Sequence, residues 1–191
     1  ETGLYAAKLV SRFHPAVIVS SGLALGALGY LFVVFFGSRN DLLLMLSFMF
    51  LGLSVGAAQT ISNDLILSSV PANKAGAASA ISETAYEFGT VLGTVVIGGM
   101  LTAIYRAQVT VPAGLNADAA HAAGETLGGA TAVAGQLPSD LSAELLHSAH
   151  AAFDSGVLVT ATFSAVLLAV LSVFTYRMLR SAPAELEKAE H

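Results

Sequence analysis

Apolar positions along the chain gather into four long runs. The first covers residues 16–36 and carries no charge. The second covers 42–63, and its apolar character continues past Asp64 to Val70. The third covers 75–105 and is interrupted only by Glu83 and Glu87. The fourth covers 155–176. A helix that crosses a bilayer needs about 20 mostly apolar residues, so each run predicts a transmembrane helix. Short polar breaks separate the first three: GSRND at 37–41 and VPANKAG at 70–76, where Pro71 and Gly76 punctuate a turn. The pattern predicts an all-α, polytopic membrane protein with four transmembrane helices, over 16–36, 42–68, 76–105 and 153–177.

The remaining segments take their places from charge. Lys8, Arg12, Lys74, Arg177, Arg180 and Lys188 fall on one side of these helices, and Arg39 and Arg106 on the other. The positive-inside rule then puts both termini in the cytoplasm. Residues 1–15 become a cytoplasmic loop that follows a missing helix, and 178–191 a cytoplasmic tail. Residues 106–152 become an extracytoplasmic loop or hairpin. Its first part is rich in Ala, Gly and Thr and reads as a mobile loop. Its second part, PSDLSAELLHSAHAAF, carries Leu141, Leu145, Leu146 and Ala149 at helical spacing after Ser139. That pattern predicts a short amphipathic helix at the outer interface. His147 and His150 lie on it with Glu144 and Asp154 nearby, but two histidines at i and i+3 fall short of the three or four fixed ligands zinc requires. No metal and no cofactor are expected.

Composition agrees with a membrane protein. The chain is 55% hydrophobic and 11% charged, against about 25% charged residues in a typical soluble domain. It has no cysteine, which removes disulfide and thiolate-metal chemistry. Its Lys and Arg residues are scattered singly, so no basic face for nucleic acid forms. The first residue is Glu1 rather than Met and no signal peptide is visible, which suggests a fragment or a processed chain.

The third run repays a helical projection. At 100° per residue, Ser79, Glu83, Glu87, Thr90 and Thr94 share one stripe, with Tyr86 at its edge. Ala75, Ala78, Ser82, Gly89 and Gly93 form a second stripe of small residues, and Ile81, Phe88, Leu92 and Val95 a bulky third. The small stripe, with Gly89-x-x-x-Gly93, suits close helix packing. Gly22-x-x-x-Gly26 and Gly52-x-x-x-Gly56 offer the same in the first two runs. The polar stripe is expected to face water or a cavity, because charge does not face lipid. Counted from Gly76 at 1.5 Å per residue, Glu83 lies ~10 Å and Glu87 ~16 Å into a core about 30 Å thick. Two carboxylates one turn apart hold and release protons interdependently, so the pair could exchange a proton for a cation. The alternative is neutralisation by basic partners, which no run in this chain supplies. Asp64 is a third candidate, either within the membrane or near the inner interface. Ser79, Thr90 and Tyr86 are further candidates, the last through cation–π attraction.

The run SNDLILSSVPANKAGAASAISETAYEFGTVLGTVVIGGMLTAIYR at 62–106 resembles the multidrug efflux pumps of the major facilitator superfamily. It is most similar to their fourteen-helix drug–proton antiporter branch, which includes exporters of quaternary ammonium compounds. GLYAAKLVSRF at 3–13 is similar to a degenerate copy of the superfamily's basic loop motif, with Gly3, Lys8 and Arg12 fitting and Ala7 where the motif has Asp. The resemblance implies that the chain is the C-terminal portion of such a transporter, its last four helices, in a bacterial cytoplasmic membrane. It implies proton-coupled export of lipophilic cations, with Glu83 and Glu87 in proton coupling and cation recognition. Some relatives have a further acid where this chain has Ser82. The implied partners are the bilayer, protons, lipophilic cationic molecules and the missing N-terminal helices of the same transporter.

Two other readings stay open at this point. One keeps the fold and changes the cargo to another metabolite or a lipid. The other is a truncated, non-transporting membrane protein, since four helices do not supply both halves of an alternating-access machine. An enzyme is not expected: no nucleophile–base–orienter set and no phosphate loop occurs.

Overall fold

The computed structural model describes residues 15–37 and 41–189. Gly3, Ala7, Lys8, Arg12 and Arg39, on which the loop motif and part of the charge asymmetry rest, lie outside these residues, as does the Lys188 side chain. The regular elements of the described residues are all helical: α1 Pro15–Phe36, α2 Asp41–Ser68, a 3-10 turn Ala72–Lys74, α3 Ala75–Gln108, α4 Ala117–Glu125, α5 Leu127–Ala134 and α6 Ser139–Ala189. α1, α2, α3 and α6 are each long and apolar enough to cross a membrane. The protein is all-α and carries four candidate spans. The chain divides into two compact units, Glu1–Phe88 with Ala161–His191, and Gly89–Thr160.

In the first unit α1 packs on α2. Small residues allow the approach. A Cβ built on Gly22 would stand 3.8 Å from the Ala58 nitrogen, and one on Gly26 would stand 2.5 Å from Ser54 Oγ. Gly29 meets the Leu51 side chain in the same way. Serines supply the polar contacts: Ser54 Oγ donates to the Gly22 carbonyl at 2.7 Å, and Ser172 Oγ on α6 donates to the Ser20 carbonyl at 2.7 Å. With little hydrophobic drive between helices in lipid, close packing and such bonds hold a bundle together. Phe32 on α1 meets Phe50 on α2 edge to face, with centroids 5.6 Å apart. Gly52 and Gly56, by contrast, face open space.

The second unit is a cap built on the Gln108 end of α3 and the Ser139 end of α6. Its core is Tyr105, Ala123, Ala130, Ala134, Leu145, Ala149 and Ala152. The Ala/Gly/Thr-rich segment is therefore not a mobile loop but two short helices. Alanine has the highest helix propensity, and each helix has a cap: Asn116 Oδ1 accepts from the Ala119 amide at 2.8 Å, and Thr126 Oγ1 from the Gly129 amide at 3.0 Å. Gly129 lets α5 approach α4, since a Cβ there would run into the Ala122 carbonyl. Gly114 makes the turn before α4 with φ +100°, a conformation glycine adopts freely.

The amphipathic segment after Ser139 is not a separate interfacial helix. It is the first part of α6, which runs unbroken through Asp154. Asp154 ends an apolar run but breaks no backbone hydrogen bond, so the helix continues. Among the described residues, exposed large apolar side chains stop at Val96 on α3 and resume at Leu158 on α6. The cap between them has a water-compatible surface. From Leu158 to Met178 is about 30 Å along α6, the thickness of a hydrocarbon core.

Candidate functional site

α3 holds the acidic pair. The helix starts at Ala75 behind the extended Pro71 and the 3-10 turn, where the Lys74 amide bonds the Pro71 carbonyl at 2.8 Å. Ala75, Ala78 and Tyr86 are half-buried and Ser82 is buried, so the first part of the small stripe is the packed face. Ser79, Glu83, Glu87 and Thr90 are all exposed, one third of a turn away. Residues at i and i+4 on a helix stand about 5–6 Å apart at Cβ, which puts the two carboxylates within reach of one shared ligand.

Neither Glu83 nor Glu87 makes a hydrogen bond or an ion pair with another described residue. Their surroundings are apolar. Exposed Ile81 precedes them, and exposed Phe88, Val91, Leu92, Val95 and Val96 follow on the same helix. A shallow recess lies alongside, lined by Ala80, Ile81, Thr84, Ala85 and Phe88. Only 6% of the most apolar stretch of this span is buried. Such a surface is covered by lipid or by further protein, and either one is drier than water.

The other candidates separate. Tyr86 turns toward α2, and its hydroxyl donates to the Gln59 carbonyl at 3.4 Å. Ser82 Oγ is buried with no hydrogen-bond partner among the described residues. Asp64 is exposed and lies one turn before the end of α2 at Ser68, apart from the acidic pair in sequence and on a different helix. Gly89 and Gly93 face open space: no atom comes within 4 Å of a Cβ built on either. The close helix contact expected of that pair is not made by any described element of this chain. Among the described residues no group of three or more His, Asp or Glu side chains is placed to hold a metal, and His147 and His150 lie on the cap surface and are exposed.

The run of residues gave no sign of Gln59 as a partner for Tyr86, because the acceptor is a main-chain oxygen and any residue could supply it. Ser54, Ser172 and Gly29 were also missed as packing residues. The signal for the serines was present: a hydroxyl inside an apolar run needs a carbonyl, on its own helix or on a neighbour.

No family model matches the chain. Curated proteins do. The multidrug efflux pump LfrA of Mycolicibacterium smegmatis is 48% identical over 169 residues, covering 87% of this chain and 33% of that protein. The methyl viologen resistance protein SmvA of Salmonella typhimurium is 32% identical over 183 residues, covering 95% of this chain and 37% of SmvA. The multidrug resistance protein Stp of Mycobacterium tuberculosis is 30% identical over 95 residues, 50% of this chain and 18% of Stp. The chain belongs to the multidrug efflux family of the major facilitator superfamily. It spans about a third of the length of the first of these efflux proteins. Family membership and the four apolar helices together make it part of a multi-pass bacterial membrane protein. They also agree with the expectation drawn from residues 62–106, while the roles of individual residues rest on the geometry above.

Proposed function

We propose that this chain contributes the acidic coupling helix of a proton-driven exporter of lipophilic cations. The observation that carries the reading is a pair of carboxylates, Glu83 and Glu87, with no partner among the described residues and set within a band of exposed apolar side chains from Ile81 to Val96. The end of that band near Val96 gives a second measure of depth. Counted from Gly98, just beyond it, Glu87 lies ~16 Å inward and Glu83 ~22 Å inward at 1.5 Å per residue. A core about 30 Å thick then has its midplane near Glu87. The count from Gly76 at the other end of the helix gives the same depth.

A charged acid at that depth costs on the order of 2.5–3.5 kcal/mol or more. The cost falls when the carboxylate takes up a proton or meets a cation. The two occupants compete for the same oxygens, so loading a cation releases a proton and protonation releases the cation. That competition is the chemical requirement for exchange. Methyl viologen, named in the resistance protein SmvA, is a flat organic dication, a charge type that two neighbouring carboxylates accept. Alternating access needs two halves of a transporter, so this activity belongs to the chain together with the remaining helices. In that assembly both termini of this chain lie in the cytoplasm, following the Lys/Arg asymmetry.

The test is tetraphenylphosphonium-driven proton release from the complete, purified transporter, with Glu83→Gln and Glu87→Gln compared against the unsubstituted protein. Release is expected to be lost in Glu87→Gln and reduced in Glu83→Gln. Full release and full drug resistance in both variants would remove the pair from the mechanism.

A further inference from the structure

We propose that the Arg180 end of α6 binds an anionic phospholipid, with the phosphate held by Arg177 and Arg180 and one acyl chain laid along Val173, Val170 and Val166. The proposal rests on α6 as a membrane span and not on the cargo proposed above.

Within the first compact unit, α6 has a packed face and an outward face. Leu168, Ser172 and Leu179 turn to α1. Leu168 Cδ1 would stand 3.1 Å from a Cβ built on Gly26, Ser172 Oγ donates to the Ser20 carbonyl at 2.7 Å, and Leu179 packs against Ile18 and Val19. At 100° per residue, Val166, Val170, Val173, Arg177 and Arg180 form a stripe centred roughly 140° away. All five are exposed. The stripe therefore faces the bilayer, and its sequence changes from valine to arginine toward the end of the span. From Val166 to Arg177 is ~16 Å along the helix, about one leaflet of a hydrocarbon core about 30 Å thick. The two guanidinium groups stand at the level of the lipid phosphates.

Arg180 is already oriented. Its Nη1 donates to the Tyr176 hydroxyl at 2.9 Å, and its guanidinium carbon lies 5.7 Å from the centre of the Tyr176 ring. A guanidinium carries five N–H donors, so most remain for a phosphate. The Tyr176 hydroxyl accepts that bond and keeps its own proton for a lipid oxygen. Residues at i and i+3 stand about 5–6 Å apart at Cβ, so both arginines reach one phosphate, and each can bind it through two parallel bonds. Two adjacent positive charges repel the ammonium of a zwitterionic headgroup. The favoured lipid carries its only charge on phosphate, as phosphatidylglycerol does. Charge complementarity at one end and an apolar stripe at the other fix both the occupant and its direction.

Two measurements on the complete transporter test this. In the first, retention of dioleoylphosphatidylglycerol and of dioleoylphosphatidylcholine by the purified protein is followed by native mass spectrometry. The unsubstituted protein is expected to prefer the anionic lipid. In Arg177→Gln/Arg180→Gln that preference is expected to fall about thirtyfold, or ~2 kcal/mol at about 1 kcal/mol per basic residue. An unchanged preference would overturn the proposal, as would displacement of the lipid by inorganic phosphate, which would make this a site for a free anion. Should the double variant not fold, Arg180→Gln alone decides, with a fall of about fivefold expected.

The second measurement asks what covers the valines. This chain has no cysteine of its own, so a spin label at Val170→Cys, in a transporter with no other cysteine, reports its surroundings in phosphatidylglycerol vesicles. Collision with oxygen dissolved in the bilayer is expected at the rate of a lipid-facing site. A protected label would place another segment of protein on the stripe and overturn the path drawn for the acyl chain. Neither readout involves efflux, so failure of the proposed function leaves both results standing.

Discussion

Ser54 Oγ donates to the carbonyl of Gly22 at 2.7 Å, across the surface where α1 and α2 touch. The bond exists because Gly22 and Gly26 present no side chain there. Replacing Gly26 by Leu puts new atoms where Ser54 Oγ and Leu168 Cδ1 already stand. The expected result is a loss of about 1–3 kcal/mol, typical of overpacking. Ser54→Ala should cost less, about 0.6 kcal/mol, the mean for hydrogen bonds between membrane helices. Unfolding in detergent, followed by circular dichroism, measures both. Gly52→Leu on the open face of α2 is the contrasting variant, with no neighbour in this chain to strain.

Glu87→Gln separates function from stability. No described residue pairs with Glu87, so its neutral isostere removes no contact. Detergent stability is expected to stay within ~0.5 kcal/mol of the starting protein. Efflux is expected to fall about tenfold or more, equivalent to ~1.4 kcal/mol or more of lost cation or proton coupling. A variant that loses stability and efflux in parallel would point to a structural role instead.

Tyr86 lies between the two acids in sequence yet turns to α2. Tyr86→Phe removes the long bond to the Gln59 carbonyl, and the expected loss from that bond is about 0.5 kcal/mol. The ring remains, so tetraphenylphosphonium affinity should be kept if the face of the ring attracts cations. Tyr86→Ala removes ring and packing together. Equilibrium binding to the two variants distinguishes an affinity carried by the ring from one to which Tyr86 contributes nothing.

The cap can be loosened at two points, one at the end of α3 and one in α5. Tyr105→Phe leaves the Ala123 carbonyl without its donor and should cost about 1 kcal/mol. Gly129→Ala forces α5 away from the Ala122 carbonyl and should cost about 1–3 kcal/mol. Hydrogen exchange over residues 117–134 is the readout. Faster exchange confined to those residues is expected in both variants, with the membrane helices unchanged.

The spans were legible because lipid imposes a single demand, a long apolar run, and each of the four runs meets it. The face of α3 that packs was legible in part. Ala75, Ala78 and Ser82 are small and turn inward, but Gly89 and Gly93 continue the same stripe and meet no neighbour among the described residues. Spacing shows which surface could accept a neighbour; it carries no information on whether this chain supplies one. The cap was misread for a different reason. Glycines interspersed among the alanines suggest flexibility, yet Asn116 and Thr126 are helix caps set before alanine-rich stretches, and their side chains decide where α4 and α5 begin. The continuation of α6 through Asp154 was hidden because a charge marks where lipid ends and says nothing about where a helix ends. The acidic pair itself was plain in the sequence, since two carboxylates stand out in an apolar run. Their exposure, and their lack of a partner among the described residues, required coordinates.

The absence of exposed large apolar side chains between Val96 and Leu158 has a practical side. Detergent or lipid will wrap the long helices and leave the cap bare. A nanobody or fused scaffold that recognises α4 and α5 would therefore grip the protein where no micelle competes.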